Sequence, residues 1–164
     1  MAHGVYISEV CSHTNDEKLI RSAINPVNAL DNGTAVTLSG LATGERELWT
    51  AALATASTAV DDVWVVATVE LIYDESKKYT LMDFYNGIND TATEKVPMRV
   101  VRHTKGDIFG LTAEVLSTVP TVGTGIKPMA DGKWEVDTAA TGDYAKFIGV
   151  TTNGGLTYYS FERV

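Results

Sequence analysis

The chain has 164 residues, 45% hydrophobic and 21% charged, enough for one domain whose core needs no disulfide or metal staple. Its net charge is −8, with 21 acids against 13 scattered bases, which excludes a DNA-coating protein and suits solubility at high local concentration. The single cysteine excludes an intrachain disulfide, and neither a secretory signal nor an apolar run of about 18 residues is present.

Residues 1–30 differ in texture from the rest. Residues 5–10, with Val5, Tyr6, Ile7 and Val10, suit a short strand. Residues 12–18 are polar, and Asn25-Pro26 interrupts the segment after them, because proline removes a donor and biases its predecessor away from helix. The expectation is an extended N-terminal arm over 1–30, attached to a β domain over 31–164.

The body opens at Asp31-Asn32-Gly33. Residues 34–41 alternate, with Val36 and Leu38 on one side, and 45–53 read as a strand despite their alanines. The run Val63-Trp64-Val65-Val66-Ala67-Thr68-Val69 is continuously apolar and β-branched, the mark of a strand buried on both faces. Next come a charged turn over 74–78, a helical turn over 81–85 and a polar loop over 86–94. Residues 96–103 form another strand, which Pro97 places near a sheet edge. In 108–116, Phe109, Leu111, Ala113 and Val115 share a face. The Gly/Thr-rich stretch 119–125 suggests a seam.

The turns Ala130-Asp131-Gly132-Lys133 and Thr152-Asn153-Gly154-Gly155 then close two hairpins, since Asp-Gly and Asn-Gly favour the positive φ of a tight reversal. Trp134 and Val136 alternate with charged neighbours, as Tyr159 and Phe161 do with Tyr158, Ser160 and Glu162. About nine strands at roughly ten-residue spacing predict a mostly β fold, an antiparallel sandwich or small barrel.

Reactive constellations are weak. Cys11 and His13, with His3 nearby, fall short of the four paired ligands zinc prefers, and read as incidentally exposed. His103 lies at a strand end with no nucleophile elbow anywhere, and reads as facing solvent. Asp61-Asp62 and Asp74-Glu75 lack the spacing of a calcium loop. Gly123-x-Gly125 opens no phosphate loop. Trp49, Trp64, Trp134, Tyr158 and Tyr159 suit packing better than sugar stacking. No catalytic, cofactor or metal residue is assigned.

The series Asp31-Asn32-Gly33-Thr34, Gly44-Glu45-Arg46-Glu47, Val66-Ala67-Thr68, Tyr73-Asp74-Glu75, Lys105-Gly106-Asp107-Ile108-Phe109 and Thr112-Ala113-Glu114 resembles the capsid decoration, or auxiliary head, proteins of tailed phages of Gram-positive bacteria. The likeness covers roughly residues 30 to 116. It implies a virion structural protein, made in the host cytoplasm, that binds the outside of an assembled capsid and stabilises it. Its partner would be the major capsid protein, with self-association also open, and no nucleic acid or membrane. An arm of this kind attaches by adding a strand to a shell subunit's sheet, which makes Val5, Tyr6, Ile7 and Val10 the expected capsid interface. The rival readings are a tail-tube or head–tail joining subunit and, from another class, a glycan-binding β module.

Overall fold

The computed structural model describes residues 4–27, 30–68, 71–74, 77–81 and 97–164. In chain order the strands are β1 (Tyr6–Val10), β2 (Ile20–Ile24), β3 (Ala35–Leu41), β4 (Leu48–Leu53), β5 (Trp64–Val66), β6 (Leu71–Asp74), β7 (Lys77–Leu81), β8 (Met98–Val101), β9 (Ile108–Leu111), β10 (Thr124–Pro128), β11 (Trp134–Thr138), β12 (Ala145–Asn153) and β13 (Leu156–Arg163). They build a six-stranded sheet in the order β1-β9-β13-β12-β10-β11, a closed barrel β2-β4-β3-β5-β8, and the pair β6-β7. All pairings are antiparallel except β2 with β4. The mostly β expectation holds, with a sheet and a small barrel together in one chain.

Strand alternation explains how the two units join. Ala35, Val65, Val101 and Ile20 are neighbours across the barrel and share one side. They pack with Phe109, Leu111, Ile126, Trp134, Tyr144 and Phe161 between barrel and sheet. The next residues along, Val36, Val66 and Val100, turn the other way, into a second cluster with Ala23, Ala51 and Met98. β5, β8 and the start of β3 at Ala35 and Val36 are therefore buried on both faces, as the apolar run from Val63 predicts, although the strand itself spans only Trp64–Val66.

Polar ties reinforce the join. The Trp134 indole N–H donates to the Gly33 carbonyl at 2.7 Å. Gly33 sits at φ 87°, and a Cβ there would come within 2.9 Å of Leu111. Asn32 brackets Thr68, donating to its carbonyl at 2.9 Å and accepting from its N–H at 2.8 Å.

Several expectations need correction. The first thirty residues are not an arm. β1 pairs with β9, and β2 is a barrel strand between β4 and β8 whose Ala23 is wholly buried. The polar stretch between them folds into two 3-10 turns, Ser12–Thr14 and Glu17–Leu19, which carry the chain from sheet to barrel. Asp16 caps the second, accepting from the Lys18 N–H at 3.0 Å. No seam falls at 119–125, because β9 and β10 belong to the same sheet; the chain instead crosses between units at 10–20 and 101–108. β8 lies between β2 and β5, not at an edge, and Pro97 precedes its first residue. β9 ends at Leu111, and the 3-10 turn Ala113–Val115 leaves Ala113 exposed while burying Val115. At the charged turn expected over 74–78, Asp74 ends β6 and is in register with Lys77, the first residue of β7. The helical turn and polar loop expected over 81–94 lie outside the described residues, apart from Leu81 at the end of β7.

Both closing hairpins form as expected. Gly132 has φ 84°, and the two-residue loop Gly154-Gly155 has positive φ at both positions, matching the twist of its flanking strands. Replacing Trp134 with Phe removes the indole donor and strands the buried Gly33 carbonyl. The expected loss is about 2–3 kcal/mol, read as a lower urea midpoint at unchanged m-value.

Candidate functional site

The four residues expected at an interface divide sharply. Val5 is buried, its carbonyl accepting from the Thr112 N–H at 3.1 Å and its own N–H donating to the Thr112 hydroxyl at 3.0 Å. Tyr6 and Ile7 are half-buried, and Val10 is 64% exposed. Because main-chain groups alternate along a strand, Ile7 joins Val5 in facing β9, while the N–H and C=O of Tyr6 and Ser8 face away. Among the described residues β1 pairs with β9 alone, so this outward edge is open. A bulge between Ser8 and Val10 ends the regular register.

The opposite edge of the sheet is closed. There Ser117 donates its N–H to the Trp134 carbonyl at 2.8 Å, and its hydroxyl accepts from the Val136 N–H at 3.0 Å.

Beneath β1 lies a buried polar cluster that sequence reasoning missed. His103, directly after β8, is 3% exposed and stacks on Phe109 with centroids 4.2 Å apart. Its Nε2 bonds the Tyr6 hydroxyl and its Nδ1 the Tyr144 hydroxyl, each at 2.8 Å. Ser8 donates to the Tyr6 oxygen at 3.1 Å and bonds His13 Nε2 at 2.9 Å. Ser8 has one proton and gives it to Tyr6, so His13 must donate from Nε2. The Tyr6 and Tyr144 hydroxyls thus hold the two nitrogens of His103, and a neutral imidazole there donates to one of them and accepts from the other. The series links two imidazoles through hydroxyl groups.

Burial sets the protonation. It lowers His103 to a pKa of about 3, helped by the charges of His13 and Arg163. Burial also lowers His13, with Arg99 adding to the effect. The Cys11 thiol, which donates to the Ile108 carbonyl at 3.0 Å, is pushed up to about 11 by burial. Burial raises Tyr6 and Tyr144 as well. Asp107 is opposed: burial pushes it up, but the Ser12 hydroxyl at 2.7 Å and the N–H groups of Thr104 and Ser12 at 2.8 and 2.9 Å outweigh that and hold it low. Arg163 closes the far side, over the Tyr144 ring at 4.9 Å and paired with Asp61 at 3.0 Å.

Thus Cys11, His13 and His103 are buried together, not exposed as their sequence context suggests; His3 lies outside the described residues. Trp134 and Tyr158 are buried, while Trp49 and Trp64 are half-buried against the barrel cluster and Tyr159 is half-buried against the sheet's core. No family model, no curated protein and no solved structure matches the chain.

His103 couples stability to acidity. Its folded value of about 3 lies below the ordinary 6.5, so the unfolded chain binds a proton the folded one refuses. Its contribution is full above pH about 6.5 and is lost progressively as pH falls to about 3, by at most about 5 kcal/mol. His13 acts in the same direction. Urea unfolding between pH 7.5 and 4.5 should show stability falling with pH, and His103→Gln should flatten that slope.

Proposed function

We propose that this protein is a non-enzymatic virion structural protein that docks on the outside of an assembled phage capsid and stabilises it. The observation that carries the reading is the asymmetry of the six-stranded sheet, with one edge covered by Ser117 and the other, β1, open. An open edge is a template for a strand from a partner, here the major capsid protein, with main-chain hydrogen bonds supplying the grip. The net charge of −8 suits an outer surface rather than one facing DNA. The histidines of the buried cluster are held neutral, and both nitrogens of His103 are bonded to tyrosine hydroxyls.

The attachment differs from an arm that orders on binding. β1 is already part of the sheet, so docking adds a strand to a preformed edge and avoids the entropy of ordering that segment. Only Tyr6 and Ser8 present outward main-chain groups before the bulge, so each contact is short, and a repeating shell would supply many of them.

Ser8→Pro removes an outward N–H without touching the bonds to β9, and Ser8→Ala controls for the lost hydroxyl. Binding to capsids assembled without this protein should weaken at least tenfold in the proline variant relative to the alanine one. Equal binding of the two would rule out edge docking. Imaging of virions should show copies across every capsid face; a ring at the tail would favour the tail-tube or head–tail reading instead.

A further inference from the structure

Cys11, His13 and His103 each offer a ligand atom, and the three atoms lie within 4.8 Å of one another. Cys11 and His13 come from the turn after β1, and His103 from the crossover between β8 and β9, so two distant stretches of chain supply the set. A thiolate with two imidazoles is a donor set that suits zinc and offers magnesium or calcium no oxygen cage. Zinc bonds of about 2.0 Å to nitrogen and 2.3 Å to sulfur put ligand atoms roughly 3.3–3.8 Å apart. The present spread of up to 4.8 Å exceeds this by about an ångström.

The hydrogen bonding singles out a free lone pair. Because His13 donates from Nε2 to Ser8, its Nδ1 is the unprotonated nitrogen, and that buried atom has no partner. One ring nitrogen held by a hydroxyl while the other stands bare is the usual state of a metal-ligating histidine before its metal arrives. His103 differs, since both of its nitrogens are held, Nδ1 by the Tyr144 hydroxyl and Nε2 by that of Tyr6. An open depression lined by Val10, Cys11, Ser12, Lys105 and Asp107 lies beside the cluster.

We propose that Cys11, His13 and His103 form a structural zinc site, with Nδ1 of His13 and Nε2 of His103 as the ligand nitrogens. On binding, the Cys11 sulfur exchanges its proton for the metal and the proton leaves to solvent. His103 Nε2 exchanges its hydrogen bond with the Tyr6 hydroxyl for the metal, and the hydroxyl keeps its proton. Tyr6, whose oxygen lies 2.8 Å from that nitrogen and 3.9 Å from the sulfur, or a water from the depression, completes the four. The ion would clip the turn after β1 to the crossover between the two units. This site is independent of the capsid reading and stands or falls separately.

The test titrates full-length protein, freed of metal with EDTA and kept reduced, with Co²⁺ as the spectroscopic probe. One Co²⁺ per chain is expected, giving a thiolate-to-cobalt charge-transfer band and tetrahedral visible bands, displaced by one equivalent of Zn²⁺. Zinc should also raise Tm. Cys11 is the only cysteine in the chain, so the charge-transfer band reports on it without any variant. Cys11→Ser should abolish the band with far-ultraviolet dichroism unchanged, and His103→Gln should weaken Co²⁺ binding at least tenfold. Absence of the band from the wild-type protein in excess Co²⁺, or its survival in Cys11→Ser, overturns the proposal.

Discussion

One wall of the barrel serves two cores, and the rest of the structure depends on that constraint. Ala35, Val65 and Val101 face the sheet while Val36, Val66 and Val100 face the second cluster, all of them wholly buried. Each such valine is worth about 1.5–3 kcal/mol when removed from water, so the wall contributes to both cores at once. Apolar faces on both sides carry a weakness, however. A strand slipped by one residue normally drives polar groups into the core, and that penalty enforces register. Here both alternating sets are apolar, so the penalty is small and register must be set by polar contacts. Asn32 gripping both main-chain groups of Thr68 sets β3 against the end of β5, and Trp134 donating to Gly33 sets the sheet against the barrel. These few hydrogen bonds contribute specificity beyond their individual strength.

The crossover after β8 meets a related difficulty. Chain leaving one unit for another exposes main-chain polar groups at a place that packing buries, and those groups need partners. Asp107 answers for one end, taking the N–H groups of Ser12 and Thr104 and so joining both crossings, at 10–20 and 101–108, through one carboxylate. His103 answers for the other, its two nitrogens joining β1 through Tyr6 to the segment before β12 through Tyr144. A neutral imidazole suits this place because it donates once and accepts once along a fixed line. The same choice makes the join acid-sensitive, because protonation would leave His103 with two donors and a buried charge.

How much of this was legible in the sequence depended on the range of the interactions. The hairpins at Asp131-Gly132 and Asn153-Gly154 were readable because turn chemistry is local, and the wall strand β5 because burial on both faces leaves an unbroken apolar run. Residues 1–30 read as an arm because 12–18 is polar. Its polar groups are nevertheless satisfied within the fold, Ser12 by Asp107, ninety-five positions away. The Cys11–His13–His103 cluster was hidden for the same reason, since its third member lies far from the other two in sequence. The one local hint was that a histidine directly after an apolar strand, and preceding Phe109, continues buried surface.

The same physics bears on why an open sheet edge can persist on a protein reaching high local concentration. Exposed edges invite copies of the same chain to pair, and folded proteins restrain this with bulges and charge. β1 has a bulge at Ser8/Val10, and Glu9 folds back onto the sheet to accept from Ser160 at 2.5 Å. Two molecules each carrying a net charge of −8 repel as they approach edge to edge. Both restraints act against self-pairing more than against a strand from a differently charged surface. Under the proposed reading, the edge therefore selects for a foreign strand: too short to hold one copy of itself in solution, it becomes adhesive where a fixed lattice presents the complementary strand at every repeat.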